Sequence, residues 1–378
     1  MSDTQKHTKP NVPNLRFPGF EGEWEKRKIR DFTRVVAGAT PSTGNKSYWG
    51  GDIRWMNSGE LNLKRVYDVQ GRITREGYEK TSTKMIPLYS VLIGLAGQGK
   101  TRGTAAMNYV ELCTNQSIAS ILPSQDYYPE FLYQNIESRY KELRDISSGD
   151  GGRGGLNLQM INNLDIPYCS LTEQKKIGNF LYLLDQRITI QSKLIEKYES
   201  LIKALAHEII GKHAPNIMLS ECVHCASSTL KESDLAEAGA IPAYGAAGIS
   251  GFTDSALSDG DSILITKDGS GVGSLRFVIG PHSFVGTLNS MTPKDGFYLP
   301  YIYYALQNVC FETYRTGQAI PHIYFRDYGK EAIYCPAYDD QKRLAKRLEL
   351  LDAKIGIERA VLRNLQSAKA FLLSGMFI

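Results

Sequence analysis

The chain carries one pattern twice, and each copy ends in a segment that reads as a helix of about ten turns. Ile166–Ile177 (IPYCSLTEQKKI) and Ile333–Leu344 (IYCPAYDDQKRL) align with Gln174-Lys175 over Gln341-Lys342, an offset of 167. The same offset places Leu184-Asp185 over Leu351-Asp352 and Ile188 over Ile355. Upstream the echoes drift. Val91–Ile93 and its glycine-rich turn match Ile263–Ile265 and Asp268–Gly273. Thr114–Ser117 matches Thr287–Ser290, and Phe131–Tyr133 matches Tyr301–Tyr303. Drifting offsets mean loop insertions that differ between copies of one module. Each copy reads strand, glycine turn, strand, aromatic helix, strand, long helix.

The two long segments have a heptad seam. In the first, Ile177, Leu181, Leu184, Ile188, Gln191 and Ile195 alternate steps of four and three. In the second, Leu344, Leu348, Leu351, Ile355, Glu358 and Leu362 do the same. Such a seam is what helices packing on one another need. A helix of some 35 residues spans about 50 Å, more than a small module covers. The two helices are therefore expected to pack on each other. If they run antiparallel, Gln191 and Glu358 face one another near mid-helix and fix the register. The fold class is α+β: two similar mixed α/β domains, each followed by a long helix, the helices pairing as an antiparallel coiled coil with pseudo-twofold symmetry. The expected boundaries are a flexible tail at 1–12, a first domain at 13–170, a helix at 171–211, a second domain at 212–337 and a helix at 338–378.

Composition narrows the class. Hydrophobic residues make up 42% of 378, which excludes a disordered chain. The net charge of +4 permits a polyanionic partner without requiring one. No run reaches the length of a membrane span, and Met1–Phe20 lacks the apolar core of a secretion signal. Six irregularly spaced cysteines suit a reducing compartment, so a cytoplasmic location is expected.

Particular stretches carry a family resemblance. Pro13–Trp24 (PNLRFPGFEGEW), Gly38–Ser42 (GATPS), Tyr48–Trp55 (YWGGDIRW), Ile241–Phe252 (IPAYGAAGISGF) and Leu171–Ile177 (LTEQKKI) stand in this order on the duplicated frame, with Asp339-Asp-Gln341 a looser copy of the last. Together they resemble the specificity subunit of Type I restriction-modification systems. The resemblance implies a non-catalytic reader of double-stranded DNA with two target-recognition domains, each reading half of a bipartite, asymmetric site. It implies two modification (methyltransferase) subunits docked on the helices, with restriction and motor subunits joining them. It implies no cofactor on this chain; S-adenosylmethionine, ATP and Mg2+ belong to the partners. Two modules on one DNA face address major grooves about 34–36 Å apart, leaving an unread gap of roughly six base pairs between half-sites of about four.

DNA contact needs cations for phosphates and forked or amide groups for base edges. In the first module, Lys100 and Arg102 stand on the glycine turn, at a phosphate or on a solvated hairpin tip. Arg153 lies in the loop Gly149–Gly155, whose counterpart is Thr316–His322. Arg72, Arg75 and Lys84 belong to a basic stretch around Tyr78. In the second module the comparable residues are Lys267, Arg276, Arg315 and Arg326, with Tyr244 either reading a base or packing. No catalytic or metal-binding residue is assigned.

Three rival readings are weaker. Gly94–Thr101 (GLAGQGKT) fits the G-x-x-x-x-G-K-[ST] phosphate loop, but Arg102-Gly103 follows where a helix would have to start. Asp165–Tyr168 (DIPY) is similar to the motif with which amino-methyltransferases hold a flipped base. No glycine-rich cofactor loop accompanies it, so a catalytic adenine methyltransferase is the lesser alternative. Cys222-Val-His-Cys225 lacks the second ligand pair of a closed zinc site. A coiled-coil adaptor without DNA contact is the remaining alternative.

Overall fold

The structure is a computed structural model that describes residues 11–97, 100–147, 154–318 and 320–378. It contains two compact units. One comprises the residues up to Ile190 together with Leu362–Ile378, the other Gln191–Val361. Each long helix therefore belongs partly to both units, rather than one helix to each module.

In the first unit the central sheet is built from β1 (Val35–Ala37), β2 (Arg65–Val66), β3 (Val91–Gly94), β4 (Ala105–Asn108) and β5 (Ile118–Ile121), in the order β1-β5-β3-β4-β2. Pairing is antiparallel except that β2 runs parallel to β4. β3, β4 and β5 are buried along their whole length. Alternation sends Val91 and Ile93 into the core with helix α1 (Pro129–Ser138), and Leu92 into a second core with Met56, Leu61 and Ile86. The strands Glu25–Lys28 and Asp165–Tyr168 pair antiparallel and close the module just before helix α2 (Leu171–Ala206). Where α1 meets α2, a Cβ on Gly178 would lie 2.9 Å from the Phe131 amide nitrogen, so only glycine admits this approach.

Among the described residues, the second unit repeats the frame with one strand fewer in this sheet. β6 (Val223–Ser227), β7 (Ser262–Thr266), β8 (Leu275–Val278) and β9 (Leu288–Pro293) form an antiparallel sheet in the order β6-β9-β7-β8. Helix α3 (Leu299–Leu306) corresponds to α1, and α4 (Tyr338–Met376) to α2. The strands Ile217–Met218 and Ala332–Ile333 close this module.

The repeat is exact at its joints. Gln174 Oε1 accepts from the Tyr128 amide (2.9 Å) and its Nε2 donates to the Cys169 carbonyl (2.9 Å). Gln341 does the same for the Tyr298 amide (2.8 Å) and the Pro336 carbonyl (2.8 Å). Both glutamines are buried, and each clips the start of an aromatic helix to the start of a long one. Sheet register corrects one sequence echo. Leu92 pairs with Ser120 and Leu264 with Ser290, so Ser120, not Ser117, is the counterpart of Ser290.

Within each unit the long helices run antiparallel. In the second unit Gln191 Nε2 donates to the Glu358 carbonyl (3.0 Å) and carboxylate (2.5 Å), and Lys354 reaches the same carboxylate (2.7 Å). In the first unit Lys369 meets Asp185 (2.6 Å), while Met376 joins the core that holds Ile177 and Leu181. Of the seam residues, Ile177, Leu181, Gln191, Ile195, Leu348, Ile355 and Glu358 are buried. Leu184, Ile188, Leu344, Leu351 and Leu362 are half-buried. The first helix stops being α-helical at Ala206 and ends in a π turn over His207–Gly211. Among the described residues no helix is long and apolar enough to cross a membrane.

Replacing Glu358 by alanine strips the buried Gln191 amide of its side-chain acceptor and should cost about 1–3 kcal/mol in denaturant titration. The double variant Gln191→Leu/Glu358→Leu should recover most of that loss. A single variant as stable as the parent would mean that water takes the place of the carboxylate.

Candidate nucleic-acid interface

In the first module the expected contact residues differ in how free their charge is. Lys84 and Lys100 are exposed. Arg75 is exposed but lies on its helical neighbour Glu79 (2.9 Å). Arg72 is held at the base of its hairpin by Asp68 (3.0 Å) and by the carbonyls of Val69 and Gly71. Arg54, which sequence reading passed over, shares that carboxylate (2.8 Å), and its hydrogen bond draws the Asp68 carboxyl below its ordinary value. Arg102 is half-buried, and its guanidinium donates to the Gly154 carbonyl. It thereby ties the glycine turn to the loop that contains Arg153, a residue outside those described. The stretch Gly94–Thr101 leads into a hairpin rather than a helix. The Gly94 amide donates to Thr104 (3.0 Å), Gly103 donates back to Gly94 (2.9 Å), and β4 follows.

In the second module the glycine turn and the loop beyond α3 come together. The Gly269 amide donates to the Pro321 carbonyl (2.9 Å) and Ile323 to Lys267 (2.9 Å). On this frame Lys267 (2.5 Å) and His322 Nδ1 (2.8 Å) converge on Asp268. Burial alone would raise the Asp268 carboxyl, but these two partners hold it below its ordinary value. His322 stacks on Tyr324, and the Arg326 guanidinium lies 4.7 Å from the centre of the Tyr324 ring. Tyr324 is exposed, and no periodicity in the chain marks it out. Arg326 and Arg315 both sit beside acidic neighbours, Asp327 (3.7 Å) and Glu312 (2.5 Å). Tyr244 meets Arg276 of β8, the guanidinium 5.9 Å from the ring centre. Exposed ion pairs of this kind are worth little, so each arginine can exchange a carboxylate for a phosphate at small cost.

The cysteine–histidine stretch is dispersed. Cys222 is buried, His224 is exposed, and Cys225 meets the Tyr328 hydroxyl (3.9 Å). Among the described residues no group of three metal-ligating side chains is assembled. Sequence reading also missed apolar residues on the outer faces of the helices. The first unit exposes Leu183, Ile190 and Phe371, the second Leu201, Leu350 and Ile357. Pairs such as Leu183/Ile190 and Leu350/Ile357 repeat at seven residues, off the seam.

Fold and site together define a class: a two-module binding protein whose modules are duplicated copies presenting cations, aromatic rings and glycine turns from loops on a shared helix pair. The chain belongs to the family of the Type I restriction modification DNA specificity domain, whose profile matches residues 21–200 and 221–367. It is 32% identical over 184 residues to the Type I restriction enzyme MjaIX specificity subunit of Methanocaldococcus jannaschii, covering 47% of this chain and 42% of that one. It is 27% identical over 197 residues to the HindI specificity subunit of Haemophilus influenzae, covering 51% and 39%. The chain thus spans less than half the length of these curated relatives. Its fold is that of a crystal structure of the Type I restriction-modification S subunit from M. genitalium, with a TM-score of 0.65 and 20% identity over 97% of this chain and 99% of that one.

Proposed function

We propose that this chain is the DNA-reading, non-catalytic specificity subunit of a Type I restriction-modification complex. The observation that carries the reading is the duplicated module on one helix pair, with the family profile matching both copies. Each module reads one half of a bipartite site on double-stranded DNA. The modules differ in their loops and in strand number, so the half-sites differ and the site is asymmetric. Two modification subunits dock on the helices, where exposed Leu350 and Ile357, and Leu183 and Ile190, give apolar surface that water does not favour. S-adenosylmethionine, ATP and Mg2+ act on the partners, and the complex works in the cytoplasm.

The test is single-molecule sequencing of adenine methylation in the source cell with this gene intact and deleted. Loss of one bipartite, asymmetric motif on deletion is the expected result. An unchanged methylation pattern, together with failure to co-purify a methyltransferase subunit, would overturn the reading.

Phosphate contacts are tested on the assembled complex. Lys100→Ala and Arg326→Ala should each weaken binding and lower the slope of log K against log salt by about 1. Arg102→Ala should act differently, because it frees the Gly154 loop: affinity falls while the salt slope stays nearly unchanged. Equal slopes in the parent, Lys100→Ala and Arg326→Ala would remove those two residues from the contact surface.

A further inference from the structure

The two modules differ at one place in a way that leaves the second incomplete. In the first unit, β2 covers the outer edge of β4. The Met107 amide donates to the Lys64 carbonyl (2.8 Å) and Tyr109 to Val66 (2.8 Å). That strand also delivers Arg65, whose guanidinium bridges Glu130 (2.5 Å) and Asp185 of the long helix (2.8 Å) and lies 5.1 Å from the Tyr133 ring centre. Gln134 donates to Asp185 as well (2.7 Å).

The second unit keeps part of the receiving side, the counterparts of Asp185 and Tyr133, while Pro300 stands where Glu130 does. Its sheet ends at β8, with no strand on the outer side among the described residues. Register places Phe277 where Met107 stands, since Val91 pairs with Met107 and Ile263 with Phe277. Asp352 corresponds to Asp185, and Tyr304 takes the part of Gln134, its hydroxyl donating to Asp352 (2.6 Å). Tyr303 corresponds to Tyr133. Where Arg65 lies in the first unit, the second has an open cleft of about 460 Å3 lined by Asp352, Tyr303, Leu275 and Gln307. Arg359 and Lys203 also line it, but Arg359 is engaged by Glu199 (2.5 Å). Burial pushes the Asp352 carboxyl above its ordinary value, against the Tyr304 hydrogen bond and Arg359.

We propose that the edge of β8 and the cleft beside it form a docking site for an extended, arginine-bearing segment of a partner protein. The segment adds parallel to β8 and sets its guanidinium on Asp352 over the Tyr303 ring. The occupant is argued from the duplicate: residues 64–67 of this chain fill the equivalent place in the first unit. Main-chain bonds to an open sheet edge supply affinity in such additions, and the side-chain pocket supplies selectivity. Arg276, one of the expected DNA contacts, stands on β8 with its guanidinium by the Tyr244 ring, so the site borders that surface, but its argument does not depend on DNA binding.

The probe is a fluorescent peptide with the sequence of residues 62–69 (NLKRVYDV), titrated against the full chain alongside the same peptide carrying R65A. Saturable binding is expected, at least tenfold weaker for R65A and at least tenfold weaker for the Asp352→Asn chain. Hydrogen exchange should slow at the amides of Phe277 and Ile279 when the parent peptide is bound. Equal binding of the two peptides, or no saturation at millimolar concentration, overturns the proposal. So does protection of those amides that rises with protein concentration in the absence of peptide, which would make the occupant a second copy of this chain.

Discussion

Arg65→Met should lower the unfolding free energy of the first unit by about 3–5 kcal/mol in denaturant titration. Arg65, Glu130 and Asp185 retain 9%, 6% and 16% of their side-chain exposure. Removing the guanidinium leaves Glu130 in that environment with only the Gln134 amide (3.0 Å) and the Tyr109 hydroxyl (3.3 Å). Asp185 keeps Lys369, whose ammonium burial would push down but Glu137 and Asp185 hold above its ordinary value. The loss should therefore fall mostly on Glu130. Arg65→Met/Glu130→Leu should regain most of the stability, because a buried pair replaced by apolar groups of similar volume is often neutral. A single-variant loss below about 1 kcal/mol would show that water reaches the cluster.

Much of this arrangement was legible in the sequence because periodicity survives divergence. The seam positions lie in the helix pair, and the Gln191–Glu358 meeting follows from their shared register once the helices are antiparallel. Gln174 and Gln341 mark their joints for the same reason, each having to satisfy two backbone groups in a fixed place. The charged cluster was not legible. Arg65 and Asp185 are 120 residues apart and belong to elements with no common period. The shift of three residues in the Thr114–Thr287 echo has a related cause. A buried strand asks only for small or apolar residues, so its register is set by backbone pairing and not by particular side chains. Candidate contact residues in the loops are picked out by charge alone. Charge does not say that Arg102 is turned inward to a carbonyl while Lys100 is exposed.

Exchanging the segment between Ile29 and Leu164 for that of another family member should change one half of the methylated motif and leave the other half intact. The boundaries follow from the strand pair Glu25–Lys28 with Asp165–Tyr168, which closes the module and would remain in the host chain. Each mismatched base pair costs about 1–3 kcal/mol, so three or four in one half-site suffice for discrimination of more than about a thousandfold. The incoming segment meets two host residues. Gln174 needs a backbone amide at the position of Tyr128, which any helix start supplies. Asp185 keeps the host's Lys369 (2.6 Å) and gains a second cation only where the donor carries one at the position of Arg65. Donors with arginine or lysine there should give the more stable chimaeras, and those without should still fold on the Asp185–Lys369 pair. Sequencing of methyladenine in cells carrying the chimaera with its modification subunit reads the outcome. A change in both halves of the motif would mean that the modules do not read independently, and the two-reader description would fail.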